Sequence, residues 1–197
     1  MLSERFTNAM KLAAELHSKQ LRKGTNIPYV SHLLGVTSLV LEHGANEDEA
    51  IAALLHDAVE DCGGVKTLSL IRNNFGDNVA AIVEGCTDSY KTPKPPWRVR
   101  KENYIAHLSN ASASVLLVSN ADKLHNARAI LNDLRTCGES VWQRFSGGRD
   151  GTLWYYRSLA NTFNKLNNGA LAKELNRVVN DIEDISEVLN FNRPIMK

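Results

Sequence analysis

From Ser3 onward, apolar residues recur three and four positions apart, and no polar/apolar alternation runs long enough to require a sheet. That periodicity restricts the chain to packed helices. Phe6, Met10, Ala13, Ala14 and Leu16 or His17 mark the buried stripe of a first helix ending near Gln20. The segment LRKGTNIPYV then breaks the period with Gly24, Asn26 and Pro28, so residues 22–30 read as a loop with room for one short hairpin. Ser31 is placed to cap a second helix, HLLGVTSLVLEHG, which stops at Gly44. Asn46 with Glu49 reads as a capping box that opens a third, EDEAIAALLHDAVED. Further helical patterns occupy TLSLIRNNFG, DNVAAIVEGCTDSY, about 97–108 and ASVLLVSNADKLHNARAILNDL, with two more after Gly151 and Gly169. The expected fold is all-α, about eight or nine helices in one domain over residues 1–197, with a C-terminal helix near 170–190.

Composition narrows the function classes. The 197 residues are 43% hydrophobic and 23% charged, enough to bury a core and keep a polar surface. Lys plus Arg number 23 against 22 Asp plus Glu, so the overall basic field that drives non-specific nucleic-acid binding is absent and any polyanion site must be local. Cys62, Cys86 and Cys137 form no C-x-x-C pair, which fits a reduced, cytoplasmic setting. The N-terminal stretch MLSERFTNAMKLAAELHSKQ carries charges throughout, and no window approaches the roughly 18 apolar residues of a membrane span, so neither a membrane nor a nucleic acid is expected as a partner. Oligomeric state is left open.

The densest chemistry lies in LLHDAVED, where Glu60 and Asp61 follow His56 and Asp57 by four residues each. Positions four apart on a helix lie only about 40° apart, so these titratable groups crowd one helix end. Acidic residues there oppose the helix dipole unless a cation sits beside them. A solvated acidic turn would carry the same letters. Two further residues point inward. His32 opens the second helix, and Asp122 follows the apolar run Val115–Val118, with Asn126 one turn later.

The ordered set His32, His56-Asp57 and Asp122 resembles the HD-domain superfamily of metal-dependent phosphohydrolases. The nearer resemblance is to its small alarmone hydrolases, relatives of the hydrolase domain of the bifunctional Rel/SpoT enzymes and of the animal Mesh1 proteins. It is carried by Arg22-Lys23-Gly24 with Pro28-Tyr29 and His32, by Leu54-Leu55-His56-Asp57 with Val59-Glu60-Asp61, and by Ala121-Asp122-Lys123-Leu124 with Asn126 and Arg128, over about residues 5–165. The chain departs from the pattern at Ala129, where the bifunctional enzymes tend to carry a hydroxyl residue.

The resemblance implies that His32, His56, Asp57 and Asp122 ligate one divalent ion, Mn²⁺ by family habit, with Zn²⁺, Ni²⁺ or Co²⁺ able to replace it in a purified sample. A mixed nitrogen and oxygen donor set is consistent with such ions. It further implies that Glu60 and Asp61 orient and deprotonate the attacking water, a contribution commonly worth about 10²–10⁴-fold. Arg22 would stack on the base, Lys23 and Tyr29 would line the same wall, and Asn126 and Arg128 would reach ribose or phosphate. Arg149, in the loop expected at SGGRDG over residues 146–151, Tyr155 just after it, and the cations Arg98 and Lys101, in KTPKPPWRVRK, extend the expected substrate contacts.

The implied activity is hydrolysis of the 3′-pyrophosphate of guanosine tetra- or pentaphosphate, the alarmones of the stringent response, to GDP or GTP and pyrophosphate. The small-molecule nucleotide is then the partner. An HD phosphohydrolase acting on ppApp or NADPH, or a catalytically silent nucleotide-sensing module, is the alternative. No synthetase domain fits within the chain.

Overall fold

Ser3 has extended backbone, and its hydroxyl accepts from the Arg5 amide at 3.2 Å, which opens helix α1 (Glu4–Leu16) in the computed structural model of the protein. The structure describes residues 1–89, 93–167 and 169–191. The capping box is present as expected: Asn46 Oδ1 accepts from the Glu49 amide at 3.0 Å, and Glu49 Oε2 accepts from the Asn46 amide at 2.8 Å. It starts α3 (Glu47–Leu55), which follows α2 (Val30–Glu42) after a turn through Gly44 at φ +82°.

The remaining helices are α4 (Ala58–Asp61), α5 (Val65–Phe75), α6 (Asp77–Cys86), α7 (Trp97–Leu108), α8 (Ala113–Cys137), α9 (Gly148–Leu166) and α10 (Ala170–Phe191), with a 3-10 helix at Gly138–Arg144. The fold is all-α, and the described residues contain no strand. Each expected helical segment is present, but the third is two helices. His56 Nδ1–H donates to the Ala53 carbonyl at 2.8 Å, occupying one of the acceptors at the end of α3, and the helix closes there before α4 restarts at Ala58. The single helix expected over EDEAIAALLHDAVED is thus corrected at the His-Asp pair. Likewise α6 ends at Cys86, short of the expected Tyr90, because Thr87 turns to extended backbone; Tyr90 lies outside the described residues. The expected hairpin reduces to one antiparallel bridge, Leu21 with Pro28, closed by Arg22 N–H to Ile27 O at 2.8 Å and Tyr29 N–H to Gln20 O at 2.9 Å.

The chain divides into two compact units, one from Met1 to Asp122 and one from Lys123 onward, the division falling within α8. In the first, α3 is the core element: every residue from Ala50 to Leu55 is buried, and α1, α2 and α6 pack around it. Nine residues are too few for an isolated helix in water. Burial of Ile51, Leu54 and Leu55, at about 1.5–3 kcal/mol each, holds it instead. In the second unit α9 packs on α10 and on the 3-10 helix, burying Leu159 and Phe163 together with Leu175 and Ile182.

Close approach fixes one glycine. A Cβ at Gly85 of α6 would stand 2.6 Å from Val115 Cγ2, and Val115 is buried and stiff about χ1. Gly85→Ala gains about 1 kcal/mol of helix propensity and meets an overpacking cost of about 1–3 kcal/mol. The expected result is a lower Tm in thermal denaturation, restored in part when Val115→Ala is added.

Candidate metal centre

The first unit buries three imidazoles and a carboxylate almost completely: His17, His32, His56 and Asp122 are 3%, 0%, 2% and 5% exposed. Groups so withdrawn from water require partners. His32 lies in the first turn of α2, His56 and Asp57 occupy the break between α3 and α4, and Asp122 lies on α8 in a buried run with Ser119 and Asn120. These elements bring four of the expected residues together. His32 Nε2 is 3.2 Å from Asp122 Oδ1 and 3.5 Å from Asp57 Oδ2. His56 Nε2 is 3.0 Å from the same Asp57 oxygen and 3.7 Å from the same Asp122 oxygen. One ligand atom each from His32, His56 and Asp57 lies within 4.8 Å of the others.

The protonation of His56 decides what such a cluster can hold. Its Nδ1 must carry a proton, because the Ala53 carbonyl can only accept. In the neutral ring Nε2 is then a bare lone pair, and this buried atom has no hydrogen-bond partner although a carboxylate oxygen stands 3.0 Å away. Lone pair against lone pair at that separation is repulsive unless a proton or a cation lies between them. The backbone bond on the far side of the ring is the arrangement that orients a metal-ligating imidazole.

Electrostatics show the pull that a proton or a cation would answer. Burial pulls the His56 pKa down, but the Asp57 and Asp122 carboxylates outweigh it and raise the value well above the ordinary imidazole range. Burial pushes Asp57 up, but His56 and His32 outweigh it and hold that carboxyl well below its usual range. The cluster thus sets an anionic Asp57 against imidazole nitrogens, a donor set that fits a divalent cation. Tyr29 completes it. Its hydroxyl donates to Asp57 Oδ2 at 2.6 Å, and burial followed by the Asp57 charge drives the phenol pKa upward, so it remains a donor at neutral pH.

The acidic pair on α4 is held from outside the cluster. Lys94 Nζ lies 2.9 Å from Glu60 Oε1, and Gln20 Nε2 donates to Asp61 Oδ2 at 2.8 Å. Arg22 places its guanidinium 5.6 Å from the centre of the Tyr29 ring, and Lys23 is exposed in the same hairpin. Gln20, His17 and Lys94 carry no site role in the sequence pattern. His17 caps the C-terminus of α1 and Gln20 lies in the turn after it, so helical spacing does not pair them, and Lys94 is hidden by its proline-rich surroundings.

The remaining expected substrate residues belong to the second unit. Arg128 is exposed and 3.3 Å from Glu174. Asn126 is half-buried. Arg149 is the second residue of α9 and not part of a loop, and it pairs with Asp150 at 2.9 Å and with the Ser186 carbonyl at 3.3 Å. Tyr155 is buried against Trp154 and Tyr156. In the first unit Arg98 pairs with Glu102 at 2.7 Å and Lys101 with Asp88 at 2.7 Å, while Lys91 and Thr92 of the same segment lie outside the described residues.

Residues 9–153 match the HD domain family. The chain belongs to that family. This HD-domain protein is 39% identical over 137 residues, 68% of its length and 72% of the relative's, to the guanosine-3′,5′-bis(diphosphate) 3′-pyrophosphohydrolase MESH1 of Xenopus tropicalis. It is 36% identical to MESH1 of Danio rerio over 68% of its own length and 71% of the relative's. Among solved structures, it is similar to a metazoan ortholog of SpoT described as hydrolysing ppGpp, with a TM-score of 0.76 at 26% identity, covering 91% of this chain and 96% of that one. A protein of Listeria monocytogenes aligns with a TM-score of 0.68 at 31% identity over 79% of this chain and 99% of its own. No helix among the described residues of the HD-domain protein is long and apolar enough to cross a membrane.

Tyr29→Phe removes the hydroxyl that holds Asp57 and keeps the ring. Loss of such an outer hydrogen bond costs about 10–100-fold in metal affinity or activity. Titration calorimetry with Mn²⁺ is expected to register that drop in affinity.

Proposed function

We propose that this HD-domain protein is a metal-dependent phosphohydrolase that converts guanosine 3′,5′-bis(diphosphate) and water to GDP and pyrophosphate, and the pentaphosphate to GTP and pyrophosphate. One observation carries the reading. Two imidazoles and two carboxylates converge at 3.0–3.7 Å beside a second carboxylate pair, in a chain that resembles MESH1 proteins over more than two thirds of their length.

His32, His56, Asp57 and Asp122 would hold the ion, which we take to be Mn²⁺. When bound, a divalent ion supplies Lewis-acid charge that polarises a phosphoryl group and acidifies water. The protein's own part is distinct. Tyr29 keeps Asp57 oriented, and the Ala53 carbonyl fixes the His56 tautomer so that Nε2 faces the cluster. Glu60 and Asp61 accept the proton of the attacking water, with Lys94 pairing to one carboxylate and Gln20 orienting the other. Arg22, with its planar guanidinium above Tyr29, and Lys23 offer a stacking plane and a point charge to a phosphorylated purine nucleotide. In this reading Asn126, Arg128, Arg149 and Tyr155 remain the substrate contacts of the second unit. The three cysteines are free, which supports a reducing, cytoplasmic location.

Purified protein with Mn²⁺, offered ppGpp, ppApp and NADPH in parallel, is expected to release pyrophosphate and GDP from ppGpp. Chelation is expected to abolish that release and Mn²⁺ to restore it. An unchanged nucleotide profile with metal-loaded protein overturns the proposal.

If Glu60 serves the water and not the ion, Glu60→Gln lowers kcat by about 10²–10⁴-fold while Mn²⁺ content and substrate KM stay near wild type. Steady-state kinetics alongside elemental analysis separates these outcomes. Loss of the ion in this variant would place Glu60 among the metal ligands.

A further inference from the structure

His17 is 3% exposed, caps the end of α1 and has no part in the chemistry proposed above, yet it contacts Gln20 and Tyr29, the residues that hold Asp61 and Asp57. Its Nδ1 lies 2.6 Å from Gln20 Oε1, and the other end of that amide, Nε2, donates to Asp61 Oδ2 at 2.8 Å. A carboxylate can only accept, so the NH₂ must face Asp61 and the carbonyl oxygen must face His17, which in turn requires the proton on Nδ1. Backbone bonds hold Gln20 in place: its N–H donates to His17 O at 3.0 Å, and its own carbonyl accepts from the Tyr29 amide at 2.9 Å.

The second arm is aromatic. The His17 ring stacks on Tyr29 with centroids 5.1 Å apart and planes 18° from parallel, and the Tyr29 hydroxyl donates to Asp57 at 2.6 Å. Cys62 also lies against the imidazole, with Sγ 3.8 Å from each ring nitrogen. That thiol is no nucleophile, however. Burial and then the Asp61 and Asp57 charges push its pKa up to about 11, and it donates to the Leu16 carbonyl at 3.5 Å.

We infer that His17 is a positioning residue with two separable effects, fixing Asp61 through the Gln20 amide and fixing Asp57 through the face of Tyr29. The inference rests on the proposed function for the meaning of Asp61 and Asp57, but the hydrogen-bond relay itself does not.

Two substitutions divide the effects. His17→Phe keeps a ring against Tyr29 and removes the Nδ1–H donor, whereas His17→Asn keeps an amide N–H near the Nδ1 position and removes the ring. With ppGpp at saturating Mn²⁺, His17→Phe is expected to lower kcat by about 10–100-fold with KM and Mn²⁺ affinity close to wild type. His17→Asn is expected to recover most of kcat while binding Mn²⁺ more weakly. A residue that merely fills space would move kcat, KM and metal affinity together in both variants, and that result, or wild-type kcat in His17→Phe, overturns the inference. Should either variant fail to fold, ¹⁵N NMR of the wild-type protein loaded with diamagnetic Zn²⁺ decides: an Nδ1-protonated His17 supports the relay, and an Nε2-protonated neutral ring overturns it. Wild-type protein that leaves ppGpp intact overturns the proposed function alone, since the tautomer and the Mn²⁺ affinities are read without turnover.

Discussion

Withdrawing imidazole and carboxylate groups from water at the end of an otherwise apolar helix is tolerable only if each polar atom is met by another. At the C-terminus of α3 that condition shapes everything nearby. The Ala53 carbonyl takes the inner proton of His56, Tyr29 takes one side of Asp57, and His32 and Asp122 close the remaining approaches. Asp57 is held anionic, and the buried His56 Nε2 stands 3.0 Å from it without a hydrogen bond. A divalent cation answers that mismatch, and the mixed nitrogen and oxygen donor set fits one.

The scaffold follows from placing that cluster. Helix α3 is short and held almost wholly by burial, so its end is as well fixed as the core itself. The break after Leu55 keeps the backbone right-handed through His56 and Asp57 while interrupting the hydrogen-bond ladder. The two adjacent side chains nonetheless meet in one cluster, with His56 Nε2 3.0 Å from Asp57 Oδ2. The acidic residues of α4 gain outside partners in Lys94 and Gln20, so the unfavourable placement near a helix C-terminus is relieved by side chains from α1 and from the proline-rich segment.

Much of this was legible in the residues. Apolar spacing marks the long helical segments but neither α4 as a separate helix nor the 3-10 helix at Gly138–Arg144, and the Asn46 and Glu49 pair announces its own capping box. The His32, His56, Asp57 and Asp122 set is legible through its resemblance to the HD-domain pattern, helped by the crowding of His56 and Asp57 with Glu60 and Asp61 and by the apolar run before Asp122. The break inside the third helix was not legible, since EDEAIAALLHDAVED has unbroken helical periodicity and the stop comes from a side chain competing for a carbonyl. His17 escaped notice because a histidine on an amphipathic helix looks like any other, and its significance lies in contacts with residues 20, 29 and 62 that no spacing rule predicts. Arg149 was read as a loop residue from the surrounding glycines, yet the chain tolerates Gly148 and Gly151 within α9.

The hairpin that presents Arg22 and Lys23 is closed by the same short stretch of backbone that carries Tyr29, and Tyr29 reaches directly to Asp57. On the proposed function, the recognition surface and the metal site are therefore one mechanical part. Grafting a different loop between α1 and α2 to accept another nucleotide would not be a modular exchange, because the incoming loop would have to reproduce a phenol at one fixed point. Divergence of specificity in such a scaffold would be channelled towards Lys23 and Asn26 at the tip of the hairpin, because Gly24 holds a positive φ of 72° and the Thr25 hydroxyl donates to the Arg22 carbonyl to fix the turn.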